Sequence, residues 1–231
     1  MDGQILREML LVGFALSVLV AATSVPLRLL TLDGAAAAVL VGTVVFGLGG
    51  WGQATLLAIF FISSSALTRW KRERKPHPEH RLGRTAGQVL ANGAVAAGLA
   101  VAWSQTHSPV VAAAFAAAVA ASIADTWATE LGLLSSRRPR MITTWQEVQP
   151  GASGGVTWLG TAAATAGAGL IAGGAWLLGV PGWIPWTAGV GAMLLDSLLG
   201  ASVEGRVRGV TNDTVNFMAT LFAAAVAALL A

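Results

Sequence analysis

The feature that most constrains this chain is its succession of apolar runs. Eight can be marked, at about 5–29, 33–49, 51–68, 85–103, 109–131, 155–179, 183–203 and 214–231. Runs of roughly 17 to 25 apolar residues are long enough to carry a helix across a hydrocarbon layer. Only 11% of the 231 residues are charged, where a water-soluble domain carries about 25%. The runs are continuously apolar, not alternating, which argues against a membrane β-barrel. The expected fold is all-α: one transmembrane domain over 1–231, a polytopic integral membrane bundle of about 7–8 transmembrane helices with a polar site on one side. The runs 33–49 and 51–68 are short and meet at "GLGGWG", which predicts a tight glycine turn between two spans. The first run follows Arg7 and Glu8 and lacks a small-residue cleavage pattern, so it reads as a membrane helix and not a removed leader. Abundant alanine and glycine suit close helix packing in lipid.

Charge placement sets the orientation. If the runs alternate across the bilayer, thirteen of the 14 Lys and Arg fall on one side. They are the seven of the loop 69–84, with Arg137, Arg138, Arg140, Arg206, Arg208 and Arg28, leaving Arg7 alone opposite. Basic loops stay in the cytoplasm, so both termini are expected outside, in a prokaryotic plasma membrane. Asp33, Asp125, Glu130, Asp196, Glu204 and Asp213 sort to the same side, as do Gln88, Asn92, Asn212 and Asn216. Any chemistry therefore faces the cytoplasm. The cluster "RWKRERK" is suited to anionic headgroups, so membrane lipids are expected partners. No nucleic-acid partner is expected, and the oligomeric state stays open. Cysteine is absent, which excludes disulfides and thiolate catalysis. Only His77, His80 and His107 are present, which argues against a histidine-rich metal site.

Acids inside apolar segments are costly unless paired or used. In "ADTWATELG" the pairs Asp125/Thr129 and Thr126/Glu130 stand at i, i+4 and share helix faces. Asp125 and Glu130 lie about 140° apart around a helix axis, so one helix directs them to one atom only if it unwinds near Gly132. Both acids could instead pair with Arg137, Arg138 and Arg140. In "LLDSLLGASVEG", Asp196, Gly200 and Glu204 repeat every four residues and make a stripe, with Gly200 allowing a close approach. Two helices thus each present an Asp beside a hydroxyl. That suits Mg²⁺, which takes a few carboxylates with substrate phosphates and water. A proton- or sodium-coupled path would use similar acids.

Three further stretches could meet an anion. "PGASGGVT" places Gly151, Ser153, Gly154 and Gly155 before a helix, where backbone N–H groups favour phosphate, although such turns also serve packing alone. Arg84, Gln88 and Asn92 stand at i, i+4 and i+8, and Arg84, with Arg81 as a second candidate, can grip phosphate or anchor the helix. Asp213 and Asn216 can cap the last helix or join the site. Trp127 lies within the acidic motif and is expected to pack on another helix. The polar loop 135–155 is expected at the interface or re-entrant.

Taken in order, "LDGAAAAVLVG", "FFISSSALTR", "GQVLANG", "ADTWATELG", "PGASGGVT", "DSLLGA" and "TNDTVNF" resemble the DUF92 family of membrane proteins. That family includes the animal transmembrane protein 19 group and the plant and cyanobacterial phytyl-phosphate kinases. The resemblance spans nearly the whole chain. It implies a kinase that passes a phosphoryl group from a nucleoside triphosphate, CTP or ATP, to an isoprenoid monophosphate such as phytyl phosphate. "DTWATELG" is also loosely similar to an element of CTP-using polyprenol kinases. On this reading Asp125 and Asp196 hold Mg²⁺, and Glu130 is a metal-water ligand or base. Arg84, Ser153, Gly154 and Gly155 contact phosphate, supported by Gln88, Asn92, Asp213, Asn216 and Asp33. A cation-coupled transporter, a lipid-phosphate cytidylyltransferase and a non-catalytic scaffold are the competing readings.

Overall fold

The structure, a computed structural model, describes residues 3–75 and 83–231. Its helices are α1 (Gly3–Ser24), α2 (Leu32–Arg69), α3 (Ala86–Thr106), α4 (Pro109–Gly132), α5 (Trp158–Leu177), α6 (Trp183–Ser202) and α7 (Asn212–Leu230). A short 3₁₀ turn, Arg72–Arg74, follows α2. All of these helices but α5 are long and apolar enough to cross a membrane. The glycines and threonines of α5 lower its hydropathy, yet at 20 residues it matches α6 in length. The chain is a polytopic helical membrane protein.

With 38 residues, α2 would measure about 57 Å if straight, nearly twice the bilayer core. It is not straight. Gly50 takes φ 73° and ψ −173° in its middle, a region that a side chain makes costly. Thr31 N–H donates to the Arg84 carbonyl at 3.1 Å, and the Arg84 guanidinium lies 5.4 Å from the Phe60 ring. In a straight helix Thr31 and Phe60 would be about 43 Å apart. The two arms, 32–49 and 51–69, therefore run antiparallel as two spans. The glycine turn expected from "GLGGWG" is present, and one residue makes the reversal. With α2 counted as two arms, eight segments cross the bundle among the described residues.

The centre of the bundle is α4. Every residue from Ala113 to Ala124 is buried, and the helix packs on α2, α3, α5, α6 and α7. In lipid, close backbone approach replaces the hydrophobic force, and a run of alanines permits it on all sides. At the other extreme α1 packs along α2 and leaves Leu11, Phe14 and Leu19 exposed, as a lipid-facing helix does.

One local element was not expected, and one expectation needs correction. The loop after α4 holds a small antiparallel ladder, β1 (Arg140–Met141) with β2 (Gly155–Val156). Strands of two residues leave no periodicity for a sequence to display. At the start of α7 the cap is Thr211 and not Asp213 or Asn216, because the Thr211 hydroxyl accepts from Thr214 N–H. The candidate Arg81, with His77 and His80, lies outside the described residues.

Candidate functional site

One end of the bundle gathers the C-termini of α1, α2, α4 and α6 and the N-termini of α3, α5 and α7. That end carries the basic linkers, and a cavity of about 400 Å³ opens into it. Arg84, Gln88, Asn92, Asp125, Glu130, Ser153 and Asn216 all line it. A second cavity of about 160 Å³ continues beneath the Gly-rich loop, reached by Asp125, Asp196 and Glu204. The order of helices thus brings together residues from five segments of sequence, and 400 Å³ lies within the usual range for a small-ligand pocket.

The linker between α1 and α2 positions Arg84. Its N–H donates to the Leu29 carbonyl at 2.9 Å, and its carbonyl accepts from both the N–H and the hydroxyl of Thr31 at 3.1 Å. The backbone is clamped and the guanidinium is left to the cavity. Burial pushes Arg84 below its ordinary value, while Glu130 and Asp125 push it back up. A guanidinium stays charged under such a balance. Its first turn begins the predicted polar stripe, but Arg84 precedes α3, which starts at Ala86 after the Thr85 cap. Gln88 completes a capping box there, its Oε1 accepting from Thr85 N–H at 3.1 Å. Gln88 therefore serves the helix end first and faces the cavity second.

Asp125 and Asp196, from α4 and α6, line the 160 Å³ cavity together. Both also line a narrow cleft with Asn92 of α3 and Asn216 of α7. Asp196 Oδ2, Asn92 Oδ1 and Asn216 Oδ1 are buried without a hydrogen-bond partner. Orphaned acceptors of this kind cost free energy unless something positive meets them. Mg²⁺ fits that donor set, since it takes hard oxygen ligands. Among the described residues no three Asp, Glu, His or Cys stand close enough to hold a metal by themselves. Further ligands would come from amides, hydroxyls, water or substrate phosphate.

Glu130 has a different surrounding. Helix α4 stays regular through Gly132, so it does not unwind to bring Glu130 and Asp125 to one point. Glu130 Oε1 accepts from the Thr68 hydroxyl and Oε2 from Lys75 Nζ, both at 2.6 Å. Lys75 also donates to the Leu67 carbonyl at 2.6 Å, and both members of the pair are buried. The partner is Lys75, not Arg137, Arg138 or Arg140. With one oxygen held by Thr68 and the other ion-paired to a buried lysine, Glu130 is committed to joining α2 and α4. Sequence reading grouped Lys75 with the lipid-facing cluster and passed over Thr68. Nothing in "SALTRWKRERK" singles either out, because their burial depends on how α2 meets α4.

The Gly-rich loop is packed and not an open cradle. Gly155 N–H donates to the Ala152 carbonyl at 2.9 Å, so it is not free for an anion. Gly154 has φ +78°, and a Cβ there would come within 2.6 Å of Ala201 N on α6. Gly200 makes the close approach anticipated for it, and the approaching chain is this loop. Ser153 donates its hydroxyl to Glu204 Oε1 at 2.9 Å. Glu204, marked in sequence only by its spacing from Asp196, thus belongs to the site wall. Asp213 lies against Gly87 in the first turn of α3, and Asp33 accepts from Ala86 N–H at 2.9 Å. Both serve the N-terminus of α3, where negative charge is favourable, and neither lines the cavity. Trp127 packs on Gly167 of α5, as expected.

The family of integral membrane proteins DUF92 matches residues 15–224. An uncharacterised membrane protein of Methanocaldococcus jannaschii is 30% identical over 211 residues, covering 84% of this chain and 82% of its own. Protein PGR of Arabidopsis thaliana is 32% identical over 231 residues, covering 84% of this chain and 79% of its own. An uncharacterised membrane protein of a Synechocystis species is 30% identical over 214 residues, covering 87% and 83%. No solved structure matches the chain. A match across nearly the whole length, with the cavity residues inside it, shows that the chain belongs to the DUF92 family of integral membrane proteins.

Proposed function

We propose that this protein is a membrane phosphotransferase that moves a phosphoryl group from a nucleoside triphosphate, CTP or ATP, to an isoprenoid monophosphate, at the cytoplasmic face of a prokaryotic plasma membrane. The observation that carries the reading is a pair of adjoining cavities that share Asp125, with Arg84 on the wall of the larger and Asp196 on the wall of the smaller, at the basic end of the bundle. A phosphorylated prenyl chain lies in the bilayer with its head at that depth. Among the described residues, twelve of thirteen Lys and Arg lie in the linkers or helix ends at that end of the bundle, which draws polyanions in.

The reaction forms a bond from an oxygen of the prenyl monophosphate to the γ-phosphorus and breaks the bond from that phosphorus to the β-bridging oxygen. The leaving group is the nucleoside diphosphate. A monophosphate is mostly a dianion near neutral pH, because its second pKa is about 6. The nucleophile needs no general base, which agrees with a Glu130 committed to Lys75. Catalysis of this type is positioning and charge neutralisation. Arg84 presents a planar fork to phosphate oxygens. Asp125 and Asp196 would hold Mg²⁺, which would supply positive charge against the transferring group. The Gly-rich loop forms one side of the cavity through Ser153 and Glu204.

The test is a phosphotransfer assay in nanodiscs with Mg²⁺, a panel of nucleoside triphosphates, and phytyl, geranylgeranyl and farnesyl monophosphates. Prenyl diphosphate that disappears in Asp125→Asn and Asp196→Asn is the expected result. Folded protein that yields none with any pairing would overturn the reading. Release of pyrophosphate instead would mark a cytidylyltransferase.

A further inference from the structure

We propose that Asn92, Asp125, Asp196 and Asn216 together hold one divalent cation, so that the two asparagines are cation ligands and not phosphate contacts. The inference deepens the function proposed above and rests on it only for the use to which the cation is put.

The four side chains come from four helices, α3, α4, α6 and α7, and line one narrow cleft with Ser122 and Thr220. Three of their oxygens, Asn92 Oδ1, Asp196 Oδ2 and Asn216 Oδ1, are buried with no donor. Asn216 is 7% exposed, so this is an unpartnered polar side chain deep in the protein. The two hydroxyls of the cleft cannot supply the missing donors. Ser122 Oγ donates to the Asn92 carbonyl at 2.9 Å, and Thr220 Oγ1 to the Phe217 carbonyl at 2.8 Å. Their protons are spent on backbone. The Asn92 amide cannot simply turn over either, since Nδ2 donates to the Gln88 carbonyl at 3.0 Å and leaves Oδ1 to the cleft. Three oxygens without a donor therefore line one cleft. Arg84 lines the larger cavity and not this cleft.

Two carboxylates, two amide oxygens and two hydroxyl lone pairs form an all-oxygen set with two negative charges. A hard divalent cation balances that charge and matches the ligand type, whereas zinc or copper would look for nitrogen or sulfur. The cleft adjoins the larger cavity through Asn92, Asp125 and Asn216, which line both, while Asp196 lines only the cleft and the smaller cavity. A cation there is backed by Asp196 and borders the space a phosphate would take.

The experiment uses the purified full chain in nanodiscs, without nucleotide or prenyl phosphate, and titrates Mn²⁺ by electron paramagnetic resonance, with Mg²⁺ and Ca²⁺ as competitors. One Mn²⁺ per chain is expected, displaced by Mg²⁺. Asn92→Ala and Asn216→Ala should each weaken it about tenfold or more, Asp196→Asn should remove it, and Asn216→Asp, which keeps an oxygen ligand, should retain it. Exposed Glu147→Gln serves as control. Absence of a bound Mn²⁺ in wild type overturns the proposal. So does an affinity equal to that of wild type in both Asn→Ala variants while their melting temperatures match wild type. If the alanine variants do not fold, loss of binding in Asn216→Asp overturns it instead. Cation binding as described without diphosphate formation would sink the kinase reading and leave this site standing. Phosphotransfer with Mn²⁺ affinity indifferent to both asparagines would do the reverse.

Discussion

Glu130 and Asp125 stand five residues apart on one helix and border the same cavity, yet their surroundings are opposite. Glu130 is closed off: Thr68 and Lys75 take both oxygens, and Lys75 in turn satisfies the last carbonyls of α2. Around Asp125 the neighbours Asn92, Asp196 and Asn216 all present oxygens that nothing meets. Evolutionary use of an intramembrane acid is ambiguous from its presence alone. The difference lies in whether the protein supplies the counter-charge itself. Where it does, the acid fastens helices together. Where it does not, the acid waits for something from outside, and that is where a ligand belongs.

Four substitutions would break or sharpen this contrast. The largest effect on stability is expected from Lys75→Met, which leaves Glu130 buried without its cation. Breaking a buried pair from one side costs about 3–5 kcal/mol, read as a large drop in melting temperature by the fluorescence of the nine tryptophans. Lys75→Met combined with Glu130→Gln should recover most of it. An unchanged melting temperature in the single variant would show that the pair is not buried in the membrane-embedded protein.

Asp196→Asn should behave in the opposite way. Its melting temperature should stay level or rise, since a like charge leaves the acceptor cluster, while phosphotransfer falls by about 10²–10³-fold. A variant that loses stability in step with activity would move Asp196 into the same class as Glu130. Gly154→Ala comes next. It forces a side chain into a left-handed backbone conformation and against Ala201, at a cost of about 2 kcal/mol. A melting temperature within error of wild type would refute the packed state of the loop. The smallest effect belongs to Ser153→Ala, which loses one exposed hydrogen bond to Glu204. A change of about 1 kcal/mol or less is expected, with the consequence seen in KM and not in kcat if the loop only shapes the cavity.

What a linear reading could reach here was whatever depends on hydropathy, charge order and i, i+4 spacing. The eight segments, the turn at Gly50, the common face of thirteen cations and the candidacy of Asp125, Asp196, Arg84, Asn92 and Asn216 all follow from those local rules. In a bilayer these rules are strong, because an unsatisfied backbone cannot stay in lipid and a helix must match the hydrocarbon thickness. Which acid is paired could not be read that way. Lys75 is 55 positions from Glu130, and it looks like any other member of a basic loop. Gly154 and Gly155 look like an anion cradle until α6 is seen pressed against them. Asp33 and Asp213 look like site acids until the N-terminus of α3 is seen between them. Each of these roles is a question of which group supplies the opposite charge or fills the space. Sequence determined where polar groups would lie relative to the membrane. Only the packing of α3, α4, α6 and α7 decided which of them were left unsatisfied, because pairing is a matter of a few ångströms between segments that the chain order leaves far apart.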